Sequence, residues 1–304
     1  YFNFNEEKLK NLADVSSNLG IELFVLDDGW FGKRNNDDSS LGDWFVNREK
    51  LPNGLEGISD YVHQKNMSFG IWVEPEMISV NSELYKKHPE WCLQVEGRRK
   101  SESRNQLILD LANPQVCDYI YESMDAVLTS AKIDYIKWDM NRNMTEAYSL
   151  TLPYEQKLET AHRYIMGLYD VIERLTKKHP NVLFESCSGG GGRFDPGMLY
   201  FMPQVWTSDN TDAIARLAIQ NGTSMAYPAI SMGAHVSAIP NHQIQRVTDL
   251  KTRGDVAMAG TFGYELDLTQ CTKEEQTEIS QQVKEYKKLR HIVQFGDLYR
   301  LRYE

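Results

Sequence analysis

The sequence predicts an α/β protein with the fold of a (β/α)8 TIM barrel, formed by one domain over residues 1–304. Three observations predict this fold: short β-rich runs alternate with amphipathic helical stretches, eight such runs can be counted, and no linker divides the chain. A length of 304 residues is normal for one α/β barrel. A doubly wound open sheet is the competing architecture, although no glycine-rich phosphate loop follows the first strand.

Eight β-rich runs, most of them ending in polar residues, are predicted as the strands. They are residues 23–27, 69–73, 107–111, 135–138, 182–185, 205–207, 224–226 and 261–263. Residues 231–237 belong either to the seventh strand or to a loop that follows it. Because helical stretches lie between consecutive strands, the sheet is expected to be parallel.

Helices are predicted where apolar residues recur at the helical spacing. The helices are residues 6–19, 158–178 and 272–289, and the predicted loops are residues 35–40 and 96–104. In the first helix, Leu9, Leu12 and Leu19 recur at close to the helical period. Gly20 follows as a stop signal.

The chain is acidic: 33 lysine and arginine residues stand against 43 aspartate and glutamate residues, a formal net charge of −10. Nucleic acids and anionic membranes attract basic surfaces, so this charge argues against both as partners. No apolar run approaches membrane-spanning length. The first residues, YFNF, lack the basic and apolar regions of a signal peptide. A neutral small-molecule partner is compatible with this composition.

The four cysteines lie far apart in the sequence and form no CxxC pair. They are Cys92, Cys117, Cys187 and Cys271. This spacing argues against a disulfide framework and against a cysteine metal site. Free thiols are typical of a reducing compartment, so a cytoplasmic location is expected. We expect no metal and no cofactor, because no histidine pair has ligand spacing and no nucleotide loop is present.

Carboxylates and tryptophans cluster at the ends of the predicted strands, where a parallel barrel places its active site. They are Asp27, Asp28, Trp30, Trp72, Glu74, Glu76, Trp138, Asp139, Glu185 and Asp209. Buried carboxylates without partners are costly and rarely persist for packing alone. Tryptophan rings pack on the C–H face of a pyranose, and glycosidases use two carboxyl groups. The pattern favours a sugar site, but spacing alone does not select the catalytic pair.

Five motifs resemble those of glycoside hydrolase family 36, the bacterial α-galactosidases of raffinose and melibiose metabolism. They are LDDGWFG (26–32), GIWVEPEM (70–77), YIKWDMNR (135–142), ESCSGGGGRFD (185–195) and WTSDNTDAIAR (206–216). The resemblance runs over essentially the whole chain. It implies a (β/α)8 barrel and an exo-acting enzyme that hydrolyses α-galactosides by double displacement with retention of configuration.

The resemblance also implies a role for each site residue. It makes Asp139 the nucleophile and Asp209 the acid/base, and it assigns substrate binding to Asp27, Asp28, Trp72, Arg104, Lys137, Asn141, Cys187 and Gly190. The two adjacent aspartates would bind the 4- and 6-hydroxyls of galactose, and the lysine and arginine would bind hydroxyls around C3 and C4. The cysteine and the glycines would lie near the 2-hydroxyl, and the tryptophan would form part of the sugar wall.

Chemistry sets separate conditions for the two catalytic groups. A retaining mechanism needs its carboxyl groups about 5–5.5 Å apart. Asp139 must be ionised, and Lys137, two residues before it, is expected to favour the carboxylate. Asp209 must hold a proton near neutral pH. Alternatively, Asp139 could be a structural ion-pair partner of Lys137 or Arg142.

Structural roles compete at the other positions. Asp209 could belong to a helix N-cap cluster with Asp212, and Asp212 itself is expected to cap a helix. Glu74 and Glu76 are expected to have supporting or structural roles. Adjacent residues on a regular strand point to opposite faces, so the pair 27–28 could make one ligand contact and one structural bond. The alternatives for Trp72 and Arg104 are core packing and a solvated loop charge.

Competing functions remain open as well. A cysteine that opens the glycine motif, as Cys187 does, accompanies galactose specificity in the family, so an α-N-acetylgalactosaminidase is the second choice. A non-catalytic galactose-binding fragment and a metal-dependent barrel enzyme are the other hypotheses. Full-length family members are bacterial tetramers with β-sandwich domains on both sides of the barrel. We expect this chain to lack those domains, and a homo-oligomer is an expected assembly.

Overall fold

The structure is a computed structural model that describes residues 2–301, and these form two compact units. The first unit comprises residues 2–10 and Leu23–Phe184, and the second comprises Asn11–Glu22 and residues 185–301. Helix α1 (Glu6–Leu19) begins in the first unit and ends in the second, with the bounds that the sequence predicts.

The first unit contains five strands, the start of a sixth, and four helices besides the start of α1. The strands are β1 (Leu23–Leu26), β2 (Ser68–Val73), β3 (Met77–Ile78), β4 (Leu107–Ile108), β5 (Tyr135–Trp138) and β6 (Leu183–Ser186). The helices are α2 (Gly54–Gln64), α3 (Glu83–Lys87), α4 (Pro114–Ser130) and α5 (Thr160–Lys178). Short 3₁₀ helices precede Cys92 and α5.

Strands β1, β2 and β5 are parallel neighbours, with Leu23 opposite Ser68 and Gly70 opposite Tyr135. All residues of β2 after the first are buried, which is typical of a parallel strand covered on both faces. A Cβ at Gly70 would lie 2.9 Å from the Cβ of Tyr135, so glycine allows this close pairing. The polar residues that follow these three strands consequently lie along one edge of the sheet.

Residues 107–111, the predicted third strand, do not join the parallel sheet. Only its first two residues form a strand, β4, which is antiparallel to β3 with Leu107 opposite Ile78. The prediction of a parallel barrel strand is therefore wrong at this position. A short apolar run indicates burial, as seen here, but it does not indicate which strand will be its partner.

The second unit continues the parallel arrangement. Its strands after β6 are β7 (Gln204–Trp206), β8 (Met232–Ser237) and β9 (Thr261–Glu265), and its helices are α6 (Pro196–Phe201), α7 (Ala213–Thr223), α8 (Leu250–Ala257) and α9 (Lys273–Phe295). Neighbouring strands pair in parallel from β6 to β9. The end of α1 packs with β8, α8 and α9 through Leu19, Val236, Leu250 and Ile279, which are all buried.

The predicted seventh strand is also corrected. Residues 224–226 form the turn that follows α7, and the backbone N–H of Ser224, the residue after the helix, still donates to Gln220 at 2.9 Å. The strand is Met232–Ser237, which matches the alternative segment 231–237. The α/β class with parallel strands is confirmed, and residues 2–301 supply seven parallel strands, β1, β2 and β5–β9.

Helix α9 shows how local sequence sets an element boundary. The Thr272 hydroxyl accepts from the backbone of Glu275, and the Glu275 carboxylate accepts from the backbone of Thr272, which forms a capping box. The helix then runs past its predicted end at residue 289 to Phe295. Between residues 2 and 301, no helix combines the length and apolar character needed to cross a membrane.

Candidate active site

Asp139 directly follows β5 and is only 5% exposed. Its Oδ2 accepts from Nε1 of Trp72 at 3.1 Å and from Nδ2 of Asn141 at 2.6 Å, and its Oδ1 accepts from the backbone N–H of Met140 at 2.8 Å. All three donors are neutral. Because both oxygens are held in a nearly dry position, the carboxylate has one fixed orientation.

The two cations predicted beside Asp139 bind elsewhere. Lys137 forms an ion pair with Asp27 at 3.2 Å, and Arg142 donates to the Thr145 hydroxyl at 2.8 Å. Across the described part of the chain, no ion pair involves Asp139. The structural alternative, in which Asp139 is an ion-pair partner, is therefore not supported.

Trp72 lies near the end of β2, opposite Lys137 in the strand register. Its ring is 3% exposed and stacks on Phe31 at a centroid distance of 6.3 Å and an angle of 15°. The Trp72 carbonyl accepts from Nε1 of Trp30 at 2.8 Å. Trp72 is thus packed in the core, as the alternative interpretation has it, and it also presents a hydrogen-bond donor to Asp139.

Glu74 follows β2 and is fully buried. One carboxyl oxygen accepts from the backbone N–H of Asn141 at 2.5 Å, and the other accepts from Nε2 of Gln106 at 3.2 Å. Burial, together with the nearby charge of Asp139, raises the pKa of Glu74 to about 8. Asn141 therefore touches two carboxyl groups: its backbone N–H donates to Glu74, and its side-chain amide donates to Asp139 and also interacts with Glu74.

Glu76, the second glutamate of this segment, is equally buried but has different partners. It accepts from Nε1 of Trp138 at 2.8 Å and from the Tyr164 hydroxyl at 2.6 Å. These bonds tie the end of β2 to β5 and α5. The structural role expected for Glu76 is thus supported by its contacts.

Asp27 and Asp28 follow β1 and have different environments. Asp27 is the partner of Lys137, and its Oδ1 also accepts from the backbone N–H of Asp28 at 2.8 Å. Asp28 forms a bidentate pair with Arg34, with Nη2 at 2.8 Å and Nε at 3.0 Å from its oxygens. Burial raises the pKa of Asp28, and the bonds from Arg34 lower it in part. Asp28 is thus the aspartate with the structural bond in the alternative that gives this pair one ligand contact and one structural bond.

Two buried cations near Asp28 were not identified from the sequence. Arg34 is 1% exposed, and Lys50 donates to the carbonyls of Gly29 and Arg34, each at 2.8 Å. Burial lowers the pKa of Lys50. Arg34 binds the carboxylate of Asp28, and Lys50 binds backbone carbonyls of the loop. No sequence pattern predicts either kind of contact. Their only signal is their place in the loop that follows LDDGWFG.

Arg104 lies in the predicted loop and is exposed. Its backbone has a φ of 52°, in the left-handed region, and its Nη1 lies 3.5 Å from the carbonyl of Asn141. This position places Arg104 beside the segment that follows β5. Its predicted contact with a sugar hydroxyl stays a prediction.

In the second unit, Asp209 follows β7 and is half-buried. Its Oδ1 accepts from Nε1 of Trp206 at 3.1 Å. Like Asp139, this aspartate is therefore held by the indole of a strand tryptophan. Asp212, three residues on, caps α7 as predicted by accepting from the backbone of Ala215, and it pairs with Arg246 at 2.7 Å.

Arg216 secures the segment that contains Asp209. It donates to the carbonyls of Ser208 at 2.7 Å, Asn210 at 2.9 Å and Gly233 at 3.0 Å, and its guanidinium lies 4.9 Å from the Trp206 ring centroid. Burial lowers its pKa to about 10, so it stays charged at neutral pH. Arg216 belongs to one of the five motifs, but no sequence pattern indicates this role.

The glycine run after β6 packs closely on the same segment. Gly190 has a φ of +86°, and a Cβ there would lie 2.8 Å from the backbone nitrogen of Asp209. Glycine is therefore required for packing at this position. Cys187, which precedes the run, is buried, and all four cysteines are in the thiol form. Contacts of Gly190 and Cys187 with a 2-hydroxyl stay predictions.

The structure thus brings Asp27, Asp28, Trp72, Lys137, Asp139 and Asn141 to the strand ends of the first unit, and Cys187, Gly190 and Asp209 to those of the second. Barrel enzymes have their active sites at the carboxyl ends of parallel strands, and glycosidases use two carboxyl groups there. Comparison with known proteins identifies the family. The chain belongs to the melibiase family, whose model matches residues 1–296.

Relatives with assigned names resemble the chain over nearly its whole length. It is 63% identical over 301 residues to α-galactosidase AgaA of Geobacillus stearothermophilus and 55% identical over 302 residues to α-galactosidase Mel36A of Lactobacillus acidophilus. Each match covers 99% of this chain and 41% of the relative. The chain therefore spans less than half the length of these relatives.

Solved structures show the same fold at high similarity. The AgaA enzyme in complex with raffinose superimposes with a TM-score of 0.98, at 62% identity, over 99% of this chain and 42% of that one. The AgaA enzyme in complex with stachyose has a TM-score of 0.96, at 62% identity, over 97% of this chain and 41% of that one. Both of those proteins are variants that carry substitutions.

Proposed function

We propose that the protein is a retaining exo-α-galactosidase that releases terminal α-linked galactose from sugars such as melibiose and raffinose. The observation that carries the proposal is the environment of Asp139, a nearly buried carboxylate fixed by three donors at the end of β5. Raffinose and stachyose in complexes of the similar AgaA enzyme support the substrate class. The resemblance further supports one (β/α)8 barrel domain, a homo-oligomer and a location in the bacterial cytoplasm as parts of this proposal.

In the proposed mechanism, a carboxylate oxygen of Asp139 forms a bond to the anomeric carbon while the glycosidic C–O bond breaks. Asp209 gives its proton to the leaving oxygen, which departs as an alcohol. A water molecule then attacks the anomeric carbon of the galactosyl ester, Asp209 takes back a proton, and Asp139 leaves as a carboxylate. Two inversions give net retention.

The remaining site residues are proposed to bind the sugar. Asp27, Lys137 and Arg104 offer charged groups that are exposed or half-buried, so they suit the ring hydroxyls. Asp28 is proposed to accept a hydrogen bond from a sugar hydroxyl through a lone pair that does not accept from Arg34. Neutral sugars need directed hydrogen bonds more than net charge, which is compatible with an acidic chain.

Azide rescue distinguishes the two carboxylates by the configuration of the product. In Asp139→Gly, azide must attack the substrate directly, so we expect β-galactosyl azide, the inverted product. In Asp209→Gly, azide attacks the galactosyl ester instead of water, so we expect α-galactosyl azide. An aryl α-galactoside with a good leaving group serves both variants, and the matching N-acetylgalactosaminide tests the second-choice specificity. The same anomer from both variants would contradict the assignment.

A further inference from the structure

Two carboxyl groups of the first unit meet at one asparagine. Nδ2 of Asn141 donates to Oδ2 of Asp139 at 2.6 Å, and the Asn141 backbone N–H donates to Glu74 at 2.5 Å. Glu74 has no exposed surface; Nε2 of Gln106 donates to it at 3.2 Å, and the side-chain amide of Asn141 also interacts with it. In the described part of the chain, the hydrogen bonds to Glu74 thus come from neutral groups. A charge on Glu74 would be costly here, because burial removes water and no cation is hydrogen-bonded to Glu74 among the described residues.

We propose that Glu74 is a positioning residue for Asp139: it holds Asn141 so that the side-chain amide of Asn141 always presents its NH2 group to Asp139. The inference rests on the proposed function of Asp139 as the nucleophile. It adds a residue that is not expected to touch the sugar. The reason to expect such a residue is that an asparagine amide has a donor end and an acceptor end, and only the donor end suits a carboxylate.

The charge of Glu74 follows from the groups that face it. Asp139, at the end of β5, repels a negative charge, and Arg34, in the loop after β1, attracts it from a distance while it is bound to Asp28. Burial outweighs that attraction and raises the pKa of Glu74 to about 8. At neutral pH Glu74 therefore holds a proton.

A neutral Glu74 and an ionised one act differently on Asn141. When Glu74 is neutral, Asp139 is the sole anion that competes for the amide NH2 group of Asn141. When Glu74 loses its proton, a second anion competes for the same donor, and the two carboxylates repel each other across the asparagine. We therefore expect Asp139 to lose its fixed orientation, and the enzyme to lose activity, as the pH rises through the pKa of Glu74.

The test is the pH dependence of kcat/KM with α-galactosyl fluoride, because departure of fluoride needs little help from the acid Asp209. We expect kcat/KM of the natural protein to fall about fivefold between pH 8 and pH 9. Glu74→Gln stays neutral at every pH, so its kcat/KM should remain level over this interval. The Gln106 Oε1 atom is buried and has no partner among the described residues, so after a rotation of the Gln106 amide it can accept from the amide that the substitution introduces.

Two further variants separate this role from a purely structural one. Glu76→Gln changes a glutamate that is equally buried but bonded to Trp138 and Tyr164, so it should lower the Tm and leave the fall above pH 8 in place. In Asn141→Ala the connecting amide is gone and only the repulsion between the two carboxylates remains, so a further Glu74→Gln change should move the pH profile much less than it does in the natural protein. An unchanged profile in Glu74→Gln alone would overturn the proposal, and so would an equally large shift in the Asn141→Ala background.

A measurement without turnover distinguishes failure of this proposal from failure of the proposed function. The side-chain NH2 signals of Asn141 in ¹⁵N spectra should move with a midpoint near the pKa of Glu74 in the natural protein and stay constant in Glu74→Gln. If they do so while no α-galactoside is cleaved, the proposed function fails and the coupling of Glu74 to Asn141 stands. If they stay constant in both proteins, the role of Glu74 is overturned.

Discussion

The tryptophan beside Asp139 offers a direct test of how the carboxylate is held. Trp72→Phe keeps an aromatic ring on Phe31 but removes the Nε1 donor to Asp139. A hydrogen bond to a charged group contributes roughly 1.5–3 kcal/mol. We therefore expect kcat/KM on an aryl α-galactoside to fall roughly 10- to 150-fold, while the smaller ring also lowers the Tm because Trp72 is buried.

The control for this change is Trp91→Phe, which alters a tryptophan that stacks on His88. Activity should stay near that of the natural protein in the control. Equal losses of activity in both variants would show that general packing, and not the bond to Asp139, explains the effect.

Glu74 also links stability to pH, and the raised pKa gives the sign. The pKa of this carboxyl is ordinarily 4.5 and is about 8 in the folded protein. Between these values the folded state binds one more proton than the unfolded state. The contribution of Glu74 to the free energy of unfolding is therefore full below about pH 4.5 and is lost as the pH rises through about 8.

Urea unfolding between pH 5 and pH 8 measures this effect. The free energy of unfolding of the natural protein should fall, relative to that of Glu74→Gln, by at most about 1.4 kcal/mol per pH unit. A difference between the two proteins that stays constant with pH would mean that Glu74 ionises normally in the folded state.

Among the loops, the glycine run after β6 contains a matched pair of positions. Gly189 and Gly190 both have a positive φ, of 51° and 86°. A Cβ at Gly189 meets nothing within 4 Å, so Gly189→Ala should cost about 1–2 kcal/mol for the left-handed backbone alone. In Gly190→Ala the added carbon would also lie 2.8 Å from the backbone of Asp209, so the segment must shift.

We expect Gly190→Ala to lose at least about tenfold in kcat, because even a small displacement of a catalytic group is costly. Gly189→Ala should keep most of its activity. Rate assays on both purified variants, with Tm values to confirm folding, make the comparison. Similar kcat values in the two variants would mean that the position of Asp209 does not depend on this packing.

The helices and strands differ in how well the sequence predicts them. Helix α1 and strand β5 have their predicted bounds, because an amphipathic period with a stop signal and a β-branched or aromatic run are local signals. Residues 107–111 and 224–226 were predicted wrongly. The first run pairs with β3 rather than with the parallel sheet, and the second forms the turn after α7. The conformation of each run therefore depends on contacts with residues outside it.

Over the whole chain, the sequence located the polar residues at the strand ends but not the bonds between them. The bond from Asn141 to Glu74 joins residues 67 positions apart, and no local pattern indicates it. Lys50 and Arg216 act largely through backbone carbonyls, which every sequence supplies equally. The motifs therefore predict which side chains form the site, while their partners follow only from the fold.

The central claim is that Asp139 forms a covalent bond to galactose, and trapping that ester tests it most directly. A 5-fluoro-α-galactosyl fluoride slows both steps but retains a good leaving group, so the ester should accumulate. After proteolysis, mass spectrometry identifies the labelled carboxylate. We predict one label, on Asp139, and none in Asp139→Asn. A label on any other carboxylate, or turnover of α-galactosides that survives in Asp139→Asn, would contradict the claim.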